Sequence, residues 1–264
     1  MNPILKHLTK HQKIYLIILL LLVLILPNFL RWTHNNPTII GTPSYYYLNV
    51  IKNTDTVTIY GNPYLSLLSL NYQHHLWIYK LFPFLLGILT LVLLLSNLNR
   101  IGLSKRNQFF MLTFLILSPA FIYTFTLLTH FSFIIFLILL SFFLLLKKNK
   151  LWNYLSWPIF LLIPFFDLFS SFLTILFLAT FYYLRKESKT RIPLIILLIS
   201  TLFNYQKPFL IGPFHQQNII IDLFSDLGGL FGISLFIILL AIIGIFATWK
   251  KKNFFLNYFF LGIL

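Results

Sequence analysis

The 264-residue sequence contains no cysteine, two methionines and only five acidic residues. Without cysteine there is no disulfide framework, no thiolate nucleophile and no Cys-ligated zinc or iron–sulfur site. Charge of either sign is scarce: Asp, Glu, Lys and Arg together make up 9% of the chain, against 59% hydrophobic residues and a mean hydropathy of +0.87. No soluble core of this size requires so much apolar sequence, and the composition reads as that of an integral membrane protein. Also missing are His-Glu-x-x-His, Gly-x-Ser-x-Gly and Walker-type glycine-rich patterns. No charged residue stands clearly at the middle of an apolar run, which argues against a proton- or ion-coupled transporter.

What the sequence does have is a succession of apolar runs. A hydrocarbon core about 30 Å thick takes roughly 20 helical residues to cross. On that criterion spans are expected at 14–30, 77–95, 109–127, 131–146, 151–166, 168–184, 192–205 and 230–249, with a ninth starting at Phe254. The fold class is therefore read as all-α, a polytopic bundle of eight to nine spans forming a single domain over residues 1–264. The first run follows Lys6, Lys10 and Lys13 as a signal peptide would, but Leu26-Pro27-Asn28-Phe29 offers no small-x-small cleavage site, so it reads as an uncleaved anchor. Residues 151–184 are too long for one crossing and are interrupted by Pro158, Pro164 and Asp167, which predicts two short helices meeting at Asp167. Phe254 to Leu264 makes about half a crossing, which reads as a chain that stops inside a span.

The net charge of +15 would ordinarily raise nucleic acid as a partner. Its distribution gives a different reason. With a cytoplasmic N-terminus, the inside segments hold Lys6, Lys10, Lys13, Arg100, Lys105, Arg106, Lys147, Lys148, Lys150, Arg185, Lys186, Lys189, Arg191, Lys250, Lys251 and Lys252, which are 16 of the 20 cations. Arg31, Lys52, Lys80 and Lys207 fall outside, together with Asp55, Asp167, Asp222 and Asp226. This is a positive-inside pattern, which orients helices during insertion and needs no anionic polymer. The expected location is the plasma membrane, with membrane lipids and no nucleic acid as partners.

Function is then sought in the outside segments, 31–76 and 206–229. In the first, Thr42-Pro43 reads as a helix cap and first turn, with Tyr47, Val50 and Ile51 at i, i+3, i+4. Asn62-Pro63 repeats the signal, with Tyr64, Leu67 and Leu68 on one face. Two amphipathic helices on the outer leaflet would bring a lipid headgroup against polar side chains, and tyrosine offers a stacking face and a hydroxyl to a sugar. The competing reading of these tyrosines is an aromatic belt at the membrane boundary. In the second segment Asp222 and Asp226 share a helix face at i, i+4, a spacing that suits a divalent cation such as Mg or Mn as well as two merely solvated acids. Asp167 and Asp55 are the remaining candidate carboxylates, and an acid at the membrane boundary needs water or a partner.

A basic N-terminus, one span, a long outside loop with Gly41-x-x-Ser44-Tyr45-Tyr46-x-Leu48, then many short apolar helices resembles the GT-C class of membrane glycosyltransferases, particularly its oligosaccharyltransferase-like and mannosyltransferase-like members. Leu117-Ser118-Pro119-Ala120-Phe121-Ile122 is similar to Ser-Pro-containing spans of that class, and Ser225-Asp226-Leu227-Gly228-Gly229 looks like a segment of its archaeal relatives. The resemblance implies transfer of a sugar from a polyprenyl-phosphate-linked donor to an acceptor on the outer face. Where the class carries an acid near the tyrosine motif, this chain has Gly41-Thr42-Pro43, so Asp55 or Asp167 is expected to supply the carboxylate. Tyr45, Tyr46 and Tyr47 are then expected at the substrate, with Arg31 and Lys52 meeting the lipid phosphate. The alternative is a non-catalytic polytopic protein, either a lipid-carrier transporter or an envelope-assembly subunit.

Overall fold

The computed structural model describes residues 11–34, 42–53, 64, 68, 76–185 and 188–204. Among them the chain is all-helical: α1 (Gln12–Thr33), α2 (Thr42–Asn53), α3 (Leu76–Ile101), α4 (Lys105–Leu117), α5 (Pro119–Thr126), α6 (His130–Leu145), α7 (Lys150–Phe166), α8 (Leu168–Arg185) and α9 (Arg191–Asn204), with a 3-10 turn at Ser188–Thr190. No strand occurs among the described residues.

The boundaries follow from local chemistry. α3 stops at Gly102, whose φ of 92° lies in the left-handed region that a residue with a Cβ resists. Ser104 then opens α4 by accepting from the Asn107 N–H. Between α4 and α5, Ser118 is extended and caps both sides: its hydroxyl donates back to the Leu115 carbonyl and accepts from the Phe121 N–H. Pro119 has no N–H to continue α4, and it is well placed in the first turn of α5. Asp167 separates α7 from α8, its backbone N–H closing α7 on the Ile163 carbonyl.

α7 packs against α6 and α9, α6 packs on α3, and α3 meets α5; α1 lies against α4 and α5, and α8 against α9 and α7. Leu16, Leu20 and Leu24 line the inner face of α1 at i, i+4, i+8 and reach the same core as Leu91, Leu94 and Leu98 of α3. Phe142 joins three helices, packing edge-to-face on Phe160 of α7 at 5.6 Å and on Phe177 of α8 at 4.6 Å. The outer surface is apolar as well: Ile14, Leu22, Leu26, Phe114, Leu155, Leu202 and Phe203 are all exposed. Polar side chains turn inward. Gln12 donates to Gln108 at 3.1 Å, Asn97 to the Leu139 carbonyl at 3.0 Å, Ser200 to the Leu161 carbonyl at 2.9 Å, and Thr201 to Ser171 at 3.3 Å.

Two helices are long and apolar enough to cross a membrane, Gln12–Arg31 and Leu81–Ile101, or three crossings if the bent pair α4 and α5 makes one. α6, α8 and α9 are shorter apolar helices. The eight to nine crossings read from the sequence are thus not reached among the described residues. The single span expected at 109–127 is instead two helices bent by 63°, because of the Ser118-Pro119 break. The expected spans at 230–249 and from Phe254 lie outside the described residues.

α3 approaches its neighbours closely at Gly87. A Cβ there would stand 2.9 Å from the Leu24 Cδ1 and 3.2 Å from the Phe125 Cβ. The leucine methyl can swing aside, whereas the phenylalanine Cβ is fixed to its backbone. Gly87→Ala gains up to about 1 kcal/mol of helix propensity, which offsets much of an overpacking cost of about 1–3 kcal/mol, so alanine is expected to be near neutral. Gly87→Leu has no such offset and is expected to lower the melting temperature of the purified chain clearly. Equal melting of the leucine variant and the parent would contradict this packing.

Candidate functional site

α2 is amphipathic in the order Ser44, Tyr47, Leu48, Ile51, the i, i+3, i+4, i+7 positions of one face. Ser44 and Ile51 are buried, Tyr47 and Leu48 half-buried, and Tyr45 and Tyr46 on the opposite side are exposed. The inner face packs into a second small core with Tyr64, Leu68, Tyr79 and Leu128. Tyr64 and Leu68 are helical, as the second amphipathic segment predicted; its other residues lie outside the described part.

This helix is secured over the break between α5 and α6. The backbone there is extended at Leu127 and Thr129; the Leu127 N–H closes α5 on the Tyr123 carbonyl and the Thr129 N–H turns back to the Leu127 carbonyl, which leaves the Leu128 N–H between them. Leu128 donates its N–H to the Ser44 hydroxyl oxygen at 2.8 Å. Tyr79 donates its hydroxyl to the Leu68 carbonyl at 2.9 Å, holding the adjoining segment. Four rings then close around the first residue of α6: Tyr47 to Tyr64 at 5.4 Å, Tyr47 to His130 at 6.1 Å, Tyr64 to His130 at 6.3 Å, and Tyr64 to Phe133 at 6.4 Å.

The chemistry of the cluster is carried by Tyr47, His130 and Asp167. The Tyr47 hydroxyl is hydrogen-bonded to His130 Nδ1. Burial pushes the Tyr47 phenol up to about 12; Tyr46 and Asp167 act in the same direction and the His130 bond opposes them. At neutral pH Tyr47 therefore keeps its proton and donates it to the imidazole when Nδ1 is unprotonated. Asp167 acts through space on both Tyr47 and His130. Its Oδ2 accepts the Ser170 N–H at 2.6 Å, capping α8. Its Oδ1 takes no hydrogen bond within the described chain. Thr129, which precedes α6, makes no side-chain cap, and its hydroxyl is buried without a hydrogen-bond partner.

Of the candidates read from the sequence, Asp167 and Tyr47 are brought together, and Tyr45 and Tyr46 stay on the outer face of α2. Arg31 is in the last turn of α1 and Lys52 at the end of α2. Asp55, Asp222 and Asp226 lie outside the described residues. His130 stands in no metal-ligand spacing in the sequence, and its partner Tyr47 is 83 positions away. Among the described residues no three His, Asp or Glu side chains converge as metal ligands.

Because the folded-state value of Tyr47 lies above the ordinary 10, its contribution to stability is complete below pH 10 and is lost as the pH rises toward 12. The unfolding midpoint is expected to fall between pH 9 and 11.5, and to fall less in Tyr47→Phe; an identical fall in both proteins would contradict the burial of this phenol. The chain matches no protein-family model, and no curated protein or solved structure is similar to it.

Proposed function

We propose that the chain is a polytopic membrane protein of eight to nine spans with a cytoplasmic N-terminus in the plasma membrane, and that its α2-covered end is a GT-C-type transferase site. It moves a sugar from a polyprenyl-phosphate-linked donor to an acceptor on the outer face. The apolar outer surface of the bundle supports the first part, together with the cations gathered where α3, α6 and α8 end and α4, α7 and α9 begin. One juxtaposition carries the second: Asp167 keeps Oδ1 outside the cap made by Oδ2, within electrostatic reach of the Tyr47–His130 pair.

In this reading Asp167 Oδ1 takes the proton of the acceptor hydroxyl as its oxygen attacks the anomeric carbon. The bond from that carbon to the phosphate oxygen breaks, and the electron pair leaves with the lipid phosphate. The uncapped amino end of α6 favours the anion that develops. The exposed rings of Tyr45 and Tyr46 offer stacking faces to the sugar, and Arg31, in the last turn of α1, supplies positive charge. A divalent ion would need more ligands than the described residues bring together, so no step is assigned to a metal.

A second reading is favoured by the capping bond itself. A carboxylate that closes α8 on the Ser170 N–H has a structural reason to be there, as it would in a non-catalytic lipid-carrier transporter or envelope-assembly subunit. Asp167→Asn separates the two, since asparagine caps a helix about as well as aspartate but cannot take a proton. In proteoliposomes with labelled polyprenyl-phosphate-linked sugar, the variant is expected to keep its melting temperature and to lose transfer by about 100-fold or more. Undiminished transfer would remove Asp167 from catalysis, and movement of the lipid-linked sugar across the vesicle without transfer would establish the second reading.

A further inference from the structure

At the opposite end of the bundle, two cations are fixed on a single aromatic ring. The Arg100 guanidinium, in the last turn of α3, lies 4.4 Å from the centre of the Phe143 ring and donates Nη1–H to the Phe143 carbonyl at 2.8 Å. The Lys147 ammonium stands 4.9 Å from the same ring and 3.4 Å from that of Trp152. The segment that carries Lys147 is itself braced. Turned so that its amide nitrogen faces the end of α6, Asn153 donates to the carbonyls of Leu145, Leu144 and Lys147 at 2.9, 3.2 and 3.2 Å. The Asn149 side chain caps α7 by accepting from the Leu151 N–H at 3.0 Å.

Two like charges held this close call for an anion, and none is supplied by the described chain. Its one described acid, Asp167, is at the far end of α7. Arg100 commits only part of its five-donor fork to the Phe143 carbonyl, leaving N–H groups in a geometry that suits the oxygens of a phosphate. Lys147, held on Phe143 and Trp152, adds a second positive charge at the same ring. The surroundings select the form in which the phosphate arrives. Directly along α7 from the basic segment, Leu151, Tyr154 and Leu155 are exposed, an apolar strip that would lie against acyl chains and that a soluble phosphate would leave bare. Lys148 and Lys150 are exposed at the same edge and reinforce the attraction.

We propose that Arg100 and Lys147, braced on Phe143 and Trp152, form a binding site for the phosphodiester headgroup of an anionic glycerophospholipid. The site rests on the membrane reading given above and is independent of the transferase reading. It differs from general attraction to an anionic leaflet in depending on two particular side chains.

The test is carried out on the full chain in bilayer nanodiscs of equal phosphatidylglycerol and phosphatidylcholine, followed by detergent extraction and counting of the lipids retained. The parent is expected to retain phosphatidylglycerol in preference, and each cation removed is expected to lower that preference about fivefold. Arg100→Gln with Lys147→Gln should bring the ratio to that of the bilayer. Lys147→Gln alone breaks no hydrogen bond of the bundle, so its expected fivefold loss is readable even if the double variant fails to fold. Lys105→Gln with Arg106→Gln removes the same charge from exposed positions at the start of α4 and should leave the ratio unchanged.

Equal retention of both lipids by the parent would overturn the site. So would an equal loss in the Lys105/Arg106 control, which would show diffuse attraction, or displacement of phosphatidylglycerol by millimolar inorganic phosphate, which would show a soluble ligand. Extraction of the chain from membranes by alkaline carbonate, with no lipid of either kind retained, would overturn the membrane reading itself and is distinguishable from an altered ratio.

Discussion

An apolar outer surface presses the polar groups of this bundle to find partners inside it, and most do, although Gln12 Oε1, Asn97 Oδ1 and the Thr90 and Thr129 hydroxyls are buried without a hydrogen bond. Ser and Thr side chains bond back to carbonyls three or four residues earlier: Thr113 to Phe109, Ser141 to Ile138, Ser171 to Leu168, Thr174 to Ser170 and Thr201 to Leu197. One buried amide links helices instead. Gln108 donates to Asn99 and to the Leu103 carbonyl and accepts from Gln12, joining α1, α3 and α4 through one amide. For groups buried away from water, an unmade bond of this kind costs more than the made bond contributes.

The same constraint acts where helices end. A helix break exposes backbone groups that need a partner, and four breaks among the described helices are closed by a short polar side chain. Ser118 serves the break before α5, Ser44 the one before α6, Asn149 the one before α7 and Asp167 the one before α8. At the α5–α6 break the closing group comes from a distant segment. That brings α2 with it, and with α2 comes Tyr47. The Tyr47–His130–Asp167 cluster is therefore a by-product of satisfying one backbone N–H, assembled from a helix face, a helix start and a helix junction.

Much of this was legible from residue patterns. The division of residues 151–184 at Asp167 could be read because two prolines and an acid interrupt a run too long for one helix, and the helix over 42–53 because Thr-Pro precedes an i, i+3, i+4 apolar set. The bend at Ser118 was hidden because the apolar run from 109 to 127 continues through it without a change of composition. A proline there is as compatible with a kinked single helix as with two helices, and the double capping by the Ser118 hydroxyl decides between them only in three dimensions. Tyr47 and Asp167 could be nominated from sequence, whereas His130 could not. Its importance rests on a partner on another element, and an isolated histidine before an apolar run carries no spacing to read. The tyrosine triplet also divides in a way composition could not foresee, with one ring turned inward and two left outside.

The account depends most directly on α2 being clamped over the α5–α6 break. The absence of native cysteine makes this simple to test by disulfide trapping in the full chain. The bond between Ser44 and Leu128 places their backbones within disulfide reach. Ser44→Cys combined with Leu128→Cys is predicted to oxidise rapidly and to shift mobility on a non-reducing gel, whereas Tyr45→Cys with Leu128→Cys, which points the thiol to the exposed face of α2, is predicted not to. Failure of the first pair to form a bond, or faster oxidation of the second, would contradict the docking of α2 and with it the assembly of the site.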